Sequence, residues 1–246
     1  TGVQTCALPI YGLGLPQSAM LAGLPADYIE AQIKDFALGL RAPALGGANG
    51  DMGAISRALT PAELKAASTY FARLRGKAWF KVIEADMAPA TRVVANDLVV
   101  PVEPAKMEPI GQRIVEVPDD PAAARLRDSR VTYTAYVPKG SLTRGRNLVR
   151  TGGGRVSGGK MVPGKSTECF KCHGADLRGM PAKADGTPVA PSIVGRPPNY
   201  TFRQLYDIQR GTRNGANVAS TIRPVVAQLT EGDMIDIAAY LASRMP

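Results

Sequence analysis

Apolar residues recur at helical spacing in three stretches of the chain. Ile29, Ile33, Phe36 and Leu40 fall on one face of a predicted helix. Leu64, Ala67, Phe71 and Leu74 make a second stripe, and Met234, Ile237 and Leu241 a third. The second stripe opens with a helix-start signature: Thr60 and Glu63 have N-cap and N3 spacing, with Pro61 at the first helical position. Thr230 and Asp233 repeat it more weakly before the third. Gly39 and Gly211 sit where helices should stop. A further helix is expected after Ser141, which can cap it, with Leu148 and Val149 facing inward. Gly145 falls in its middle, where glycine is unfavourable. Close approach of another helix would explain it, with Tyr240 as the candidate contact; so would a tolerated surface position.

Between these helical stretches the pattern changes. Residues 77–138 alternate proline-containing stretches with short β-branched runs, Arg92-Val93-Val94, Leu98-Val99-Val100 and Arg113-Ile114-Val115-Glu116-Val117. Val131 to Val137 alternates as a strand does. Asp119 to Arg125 reads as a surface loop or a short helix. The segment is long for a bare linker, and a few short strands are expected, packed on a neighbouring unit or strapping two units together. It offers no nucleophile–base pair.

The chain also repeats itself. Leu21-Ala22-Gly23-Leu24-Pro25-Ala26-Asp27-Tyr28 matches Ile193-Val194-Gly195-Arg196-Pro197-Pro198-Asn199-Tyr200, an offset of 172 residues. The match runs on through Gln32-Ile33-Lys34-Asp35-Phe36 with Gln204-Leu205-Tyr206-Asp207-Ile208, to Gly39-x-Arg41 with Gly211-x-Arg213. Leu59-Thr60 with Leu229-Thr230, and Tyr70 with Tyr240, follow at an offset of 170. Two homologous modules are implied.

Composition narrows the class. The chain has 246 residues, 45% of them hydrophobic, which suits a globular protein of one or two domains. Aromatics are only 6%. The net charge of +9 favours anionic partners, an acidic protein or an anionic membrane surface. Nucleic acid is not indicated, because no Lys/Arg block stands out. No apolar run is long enough to span a bilayer. Residues 1–10 resemble a translated sequencing adapter, so they and Cys6 are expected to be non-native, with the true N-terminus and any signal peptide missing.

The candidate chemistry lies at Cys169-Phe170-Lys171-Cys172-His173. This C-x-x-C-H run contains the only histidine of the chain. It reads as a covalent haem attachment site, two thiols adding to the porphyrin edge while the adjoining imidazole reaches the iron. A redox dithiol or half of a zinc site are the plainer readings. Structural zinc usually takes four Cys or His ligands, and only three cluster here. A thioredoxin-like motif would need a βαβ setting that the glycine-rich flanks do not offer.

With motif, helix order and repeat together, residues 11–76 and 139–246 resemble a two-module class I c-type cytochrome, similar to the cytochrome c4 group. That resemblance implies an all-α fold of two tandem cytochrome c domains, small helical bundles around haem, joined by an irregular, short-stranded segment at 77–138. The cofactor implied is haem c, with one attachment site in this chain and two in the intact protein. His173 precedes Tyr200 by 27 residues, and 27 residues before Tyr28 is residue 1. The first module's own attachment motif is therefore expected at or before the chain's start.

The resemblance also implies ligands. The distal iron ligand in such cytochromes is usually a methionine thioether. Met52, seven residues before Leu59, fits that role for the first module's haem; the plainer reading is a loop methionine. Seven residues before Leu229 stands Ile222, which cannot ligate iron. Met161, Met180 and Met234 are possible substitutes, Met161 within a glycine-rich run that could fold over the haem and Met234 on a core stripe. An open sixth site is equally consistent. Arg196 and Arg213 could pair with haem propionates, or be solvated cations near helix ends. Pro191 stands where a family proline backs the proximal imidazole through its carbonyl.

The expected function is periplasmic electron transfer by a dihaem carrier or a cytochrome subunit, with a dehydrogenase or quinol-oxidising complex as donor and an oxidase as acceptor. Docking to acidic partner surfaces, at or near the outer face of a bacterial inner membrane, would suit the charge. The alternative is a haem enzyme or small-ligand binder with an open sixth iron site.

Overall fold

The computed structural model describes residues 11–44, 50–94, 98–182, 184, 189–215 and 218–246. The expected adapter segment and Cys6 lie outside the described residues.

The chain opens with three helices, α1 (Ala26–Ala37), α2 (Gly50–Ala58) and α3 (Pro61–Arg73). The capping box before α3 forms: the Thr60 hydroxyl accepts from the Glu63 N–H, and the Glu63 carboxylate accepts from the Thr60 N–H at 2.8 Å. The chain then turns to strands, β1 (Phe80–Ala85), β2 (Met87–Pro89), β3 (Thr91–Val94), β4 (Leu98–Pro101), β5 (Met107–Pro109) and β6 (Val115–Pro118). A short helix α4 (Pro121–Arg125), capped by the Asp120 side chain, leads to β7 (Tyr133–Pro138). After it come α5 (Ser141–Thr151), the strands β8 (Arg155–Ser157) and β9 (Lys160–Val162), the one-turn α6 (Phe170–His173), α7 (Pro198–Arg210), the short α8 (Val218–Thr221) and α9 (Arg223–Val226), and finally α10 (Glu231–Ala242).

The helical modules and the short strands expected between them are both present, and the second module adds the small β8–β9 pair. In the connecting segment β7 lies between β1, to which it runs parallel, and β6, to which it runs antiparallel. Two small antiparallel pairs, β2 with β5 and β3 with β4, complete the unit. Its core is not private. Leu13, Met20 and Ala22 of the first module pack with Trp79, Leu98, Val100, Ala124, Val131 and Tyr133 of the connecting segment. The β-branched runs were legible as strands; β2 and β5, which have no β-branched residue, were not, and neither was β1, whose Val82 and Ile83 lie between Lys81 and Glu84.

The helical stripes differ in how well they are covered. From Met234 to Ala242 every residue of α10 is buried, whereas along α3 only Ser68 is. Leu64, Phe71 and Leu74 are half-covered and Ala67 is exposed. The difference comes from α5, which crosses α10 at Gly145. A Cβ there would lie 1.9 Å from the Asp236 carbonyl oxygen and 2.8 Å from Tyr240 Cβ, so no larger residue fits. On α1 the buried positions are Ile29, Gln32 and Asp35, not an all-apolar face, and Leu40 lies exposed beyond the helix end. The reason is that α1 faces the second module through polar groups.

Carboxylates of the connecting segment complete the helices of the second module. N-cap positions of α5 and α7 are Gly140 and Pro197, neither of which supplies a side-chain cap. Glu84 Oε1 accepts from the Leu142 N–H at 2.7 Å, and Glu116 Oε1 accepts from the Asn199 N–H at 2.7 Å. Ser141, expected as the cap of α5, is instead its first residue and fully buried.

The modules meet about a local two-fold arrangement. Leu40–Ala42 pairs antiparallel with Thr212–Asn214: the Ala42 N–H donates to Thr212 O and the Asn214 N–H to Leu40 O, both at 2.8 Å. Arg41 donates to Gln32 Oε1 of its own module (2.9 Å) and to Tyr200 Oη (3.0 Å) and Gln204 Oε1 (2.8 Å) of the other. Arg213 mirrors it, donating to Gln204 Oε1 (3.0 Å), Tyr28 Oη (2.8 Å) and Gln32 Oε1 (2.9 Å).

Candidate haem site

The attachment motif occupies one helical turn. Cys169 has helical backbone angles at the N-cap of α6, and the His173 N–H donates to Cys169 O at 2.9 Å. Three-residue spacing on a helix sets Cys169 and Cys172 on one face. The turn is tied to the core by the Cys169 N–H, which donates to Val149 O of α5 at 3.1 Å. Both thiols are free, Cys172 exposed and Cys169 half-buried. Burial pushes the Cys169 thiol up to about 11.

His173 Nδ1 lies 2.8 Å from Pro191 O. A carbonyl oxygen can only accept, so Nδ1 carries the proton and Nε2 keeps its lone pair. Burial pushes the imidazole's pKa down, against the pull of that carbonyl, and so favours the neutral ligating form. The carbonyl is brought there by a two-bond ladder between Met180 and Ala190, each N–H donating to the other's oxygen at 2.9 Å. Gly179 makes the approach possible: its φ is 98°, and a Cβ would sit 2.6 Å from Ala190 O.

An apolar cluster backs the motif. Leu148, Val149, Leu177, Val194, Ile208, Met234, Ile237 and Leu241 are buried in it. Cys169, Phe170, Ile193, Phe202, Leu205, Tyr206 and Ile222 line it while remaining partly exposed. Half-covered aliphatic and aromatic side chains beside two free thiols and an oriented imidazole fit a large flat apolar group. Among the described residues, no group of three or more His, Cys, Asp or Glu side chains is placed to hold a metal ion by itself.

No family model matches the chain. Among curated proteins it is 32% identical over 76 residues to cytochrome c-554(548) of Halomonas halodenitrificans, a stretch covering 31% of this chain and 83% of that one. The chain belongs to the class I c-type cytochromes. It is also 30% identical over 88 residues to cytochrome c4 of Azotobacter vinelandii, covering 34% of this chain and 39% of that protein. The aligned stretch thus spans well under half the length of that relative. The fold is similar to that of Pseudomonas stutzeri cytochrome c4, with a TM-score of 0.55 at 20% identity over 98% of this chain and 94% of that one. Two tandem cytochrome c domains, arranged as in the cytochrome c4 fold, account for the repeat, and the cofactor is covalently bound haem c.

Other sequence candidates fall in several places. Arg213 is at the module interface, its Nε buried without a hydrogen-bond partner. Arg196 is buried too, and its guanidinium donates to Ser192 O (3.3 Å), Met20 O (2.6 Å) and Ala22 O (3.4 Å). Met52 lies half-buried on α2, in the other module from His173. Met161 is 73% exposed on the β8–β9 hairpin rather than folded over the motif, and Met234 is fully buried in the core. The sequence reading missed the polar pairing of Tyr28, Gln32, Tyr200 and Gln204. Its signal was there, since all four fall within the repeat.

Proposed function

We propose that the protein is a one-electron carrier that works outside the cytoplasm, as a dihaem cytochrome or as the cytochrome subunit of a dehydrogenase or respiratory complex. The observation that carries this reading is the geometry at Cys169, Cys172 and His173, with the imidazole's Nδ1 proton given to Pro191 O.

Haem c supplies the redox couple; the protein supplies binding, orientation and the dielectric. Cys169 and Cys172 hold the group in place, and Val149 O fixes their turn. Pro191 O holds the imidazole's tautomer and ring orientation. Arg213 Nε, a buried donor, would take a propionate oxygen, while Arg196 stiffens the loop between Pro191 and α7. Met52 would serve the first module's haem. Leu148, Val149, Met234 and Leu241 exclude water, which keeps the reorganisation accompanying electron transfer small. The +9 charge suits encounter with acidic redox partners or an anionic membrane surface.

The test is expression with a c-type haem maturation system, followed by intact mass and absorbance. One covalent haem on the wild type, none on the C169A/C172A double variant, and reversible oxidation and reduction are expected. A wild-type mass without haem overturns the reading.

A further inference from the structure

Ile222 stands 170 residues after Met52, seven residues before the block that repeats at that offset. It is the N-cap of α9 and packs on the same cluster as Cys169 and Phe170. An aliphatic side chain has no lone pair to give a metal.

All eight methionines are placed, and none makes up for Ile222. Met20 is buried between the first module and the connecting segment. Met52 is on α2, and Met87 and Met107 are on strands of the connecting segment. The main chain of Met180 is laddered to Ala190, next to the carbonyl that holds His173 Nδ1, which puts its backbone on the Nδ1 side of the imidazole. Met234 is locked in the core of α10 with no exposure. Met161 and Met245 point into solvent, 73% and 67% exposed. His173 is the only histidine.

We propose that Ile222 makes the second module a binding site for a small uncharged diatomic π-acceptor of the carbon monoxide or nitric oxide class. The inference rests on covalent haem attachment at Cys169 and Cys172. Binding is a dative bond to ferrous iron, with no proton moved and no electron transferred. The chemical class follows from the apolar cluster that Ile222 packs on. Val218, whose carbonyl accepts from the Ile222 N–H at 3.0 Å, and Phe202, Leu205 and Tyr206 belong to the same cluster, and a desolvated anion among such groups is costly. A neutral ligand enters without that penalty.

The experiment uses the mature haem-loaded chain, with haem counted by mass before any ligand is added. The dithionite-reduced protein is then titrated with carbon monoxide and followed by absorbance. A saturable Soret shift is expected for the wild type and for I222L. In I222M the shift should be lost and the weak far-red methionine–iron band should appear in the oxidised protein. One covalent haem with no carbon monoxide shift in the wild type overturns the inference and leaves the electron-transfer reading standing. A shift that persists unchanged in a haem-loaded I222M, with no methionine band, overturns the assignment of the site to Ile222. No covalent haem overturns both readings.

Discussion

Arg41 and Arg213 are equivalent residues of the repeat, and each binds the tyrosine and glutamine of the other's module. Each places Nη1 on its own glutamine and Nη2 on the partner pair, Tyr200 and Gln204 for Arg41, Tyr28 and Gln32 for Arg213. Asp35 and Asp207 stand beside them. Burial raises both carboxyl pKa values, and the two arginines oppose that rise. The module interface is thus a buried polar network, which is rigid when every member is satisfied.

Arg213→Met should therefore destabilise the chain by about 2–4 kcal/mol, because charged hydrogen bonds are lost and Tyr28 and Gln32 keep their burial. Arg41→Met should have a smaller effect, since Arg41 is less buried. The double variant should fall short of the sum, because the glutamines are shared. Urea denaturation of the four proteins measures the coupling, and strict additivity would remove the network from the account.

The α5–α10 crossing leaves no room at Gly145. Gly145→Ala forces backbone apart and should destabilise by about 1–3 kcal/mol or more. Gly232→Ala, on the same α10 but with no atom closer than 3.8 Å to the added carbon, should be neutral or stabilising by up to about 1 kcal/mol. Thermal unfolding of the pair checks the contrast; equal behaviour would mean that the crossing is not tight.

Glu116 gives the stability a pH dependence. Burial raises its pKa to about 7, against the hydrogen bonds of Asn199 and the charge of Arg203; the Tyr133 hydroxyl is the other titratable group close to it. The folded chain therefore holds this proton more tightly than the unfolded chain does. The group's contribution to stability is greatest below about pH 4.5 and is lost as pH rises to about 7, on the order of 3 kcal/mol in all. Glu116→Gln should flatten that slope and be the more stable protein at about pH 8. Denaturation midpoints across that window decide it; an unchanged slope in the variant would assign the proton elsewhere.

Coverage predicts dynamics. The amides of α3, half-exposed along the helix, should exchange with deuterium well before those of α10, where Met234 to Ala242 are buried. Hydrogen-exchange mass spectrometry resolves the two helices directly, and faster exchange in α10 would overturn that order.

Much of this was legible in the sequence because it was local. The Thr60–Glu63 and Thr230–Asp233 boxes, the stops at Gly39 and Gly211 and the Cys169–His173 turn depend on neighbours in the chain, and they form where the spacing puts them. The stripe of α10 was legible because α5 covers it. The stripe of α3 was over-read, since periodicity reports which face is apolar and not whether anything lies on it. Gln32, Asp35 and Glu116 were missed for the opposite reason. Polar residues carry no periodic signal of burial, and what buries them comes from more than 80 residues away in sequence. Met161 shows the limit of composition. Its glycine-rich surroundings suggested a mobile cover, yet Gly158 and Gly159 have φ of 57° and 77° and close a tight two-residue turn between β8 and β9.

The carboxylates of Glu84 and Glu116 mean that the haem-bearing half is not portable. A piece cut at residue 139 would keep the attachment motif, the imidazole's carbonyl partner and most of the apolar cluster. It would also begin with α5 and α7 uncapped, two helices whose first turns had been finished by another part of the chain. Recombination that shuffles whole repeats would have to carry the sheet along with the second repeat or grow new caps in its place. The segment that looks like a spacer is, in that sense, the second domain's own edge.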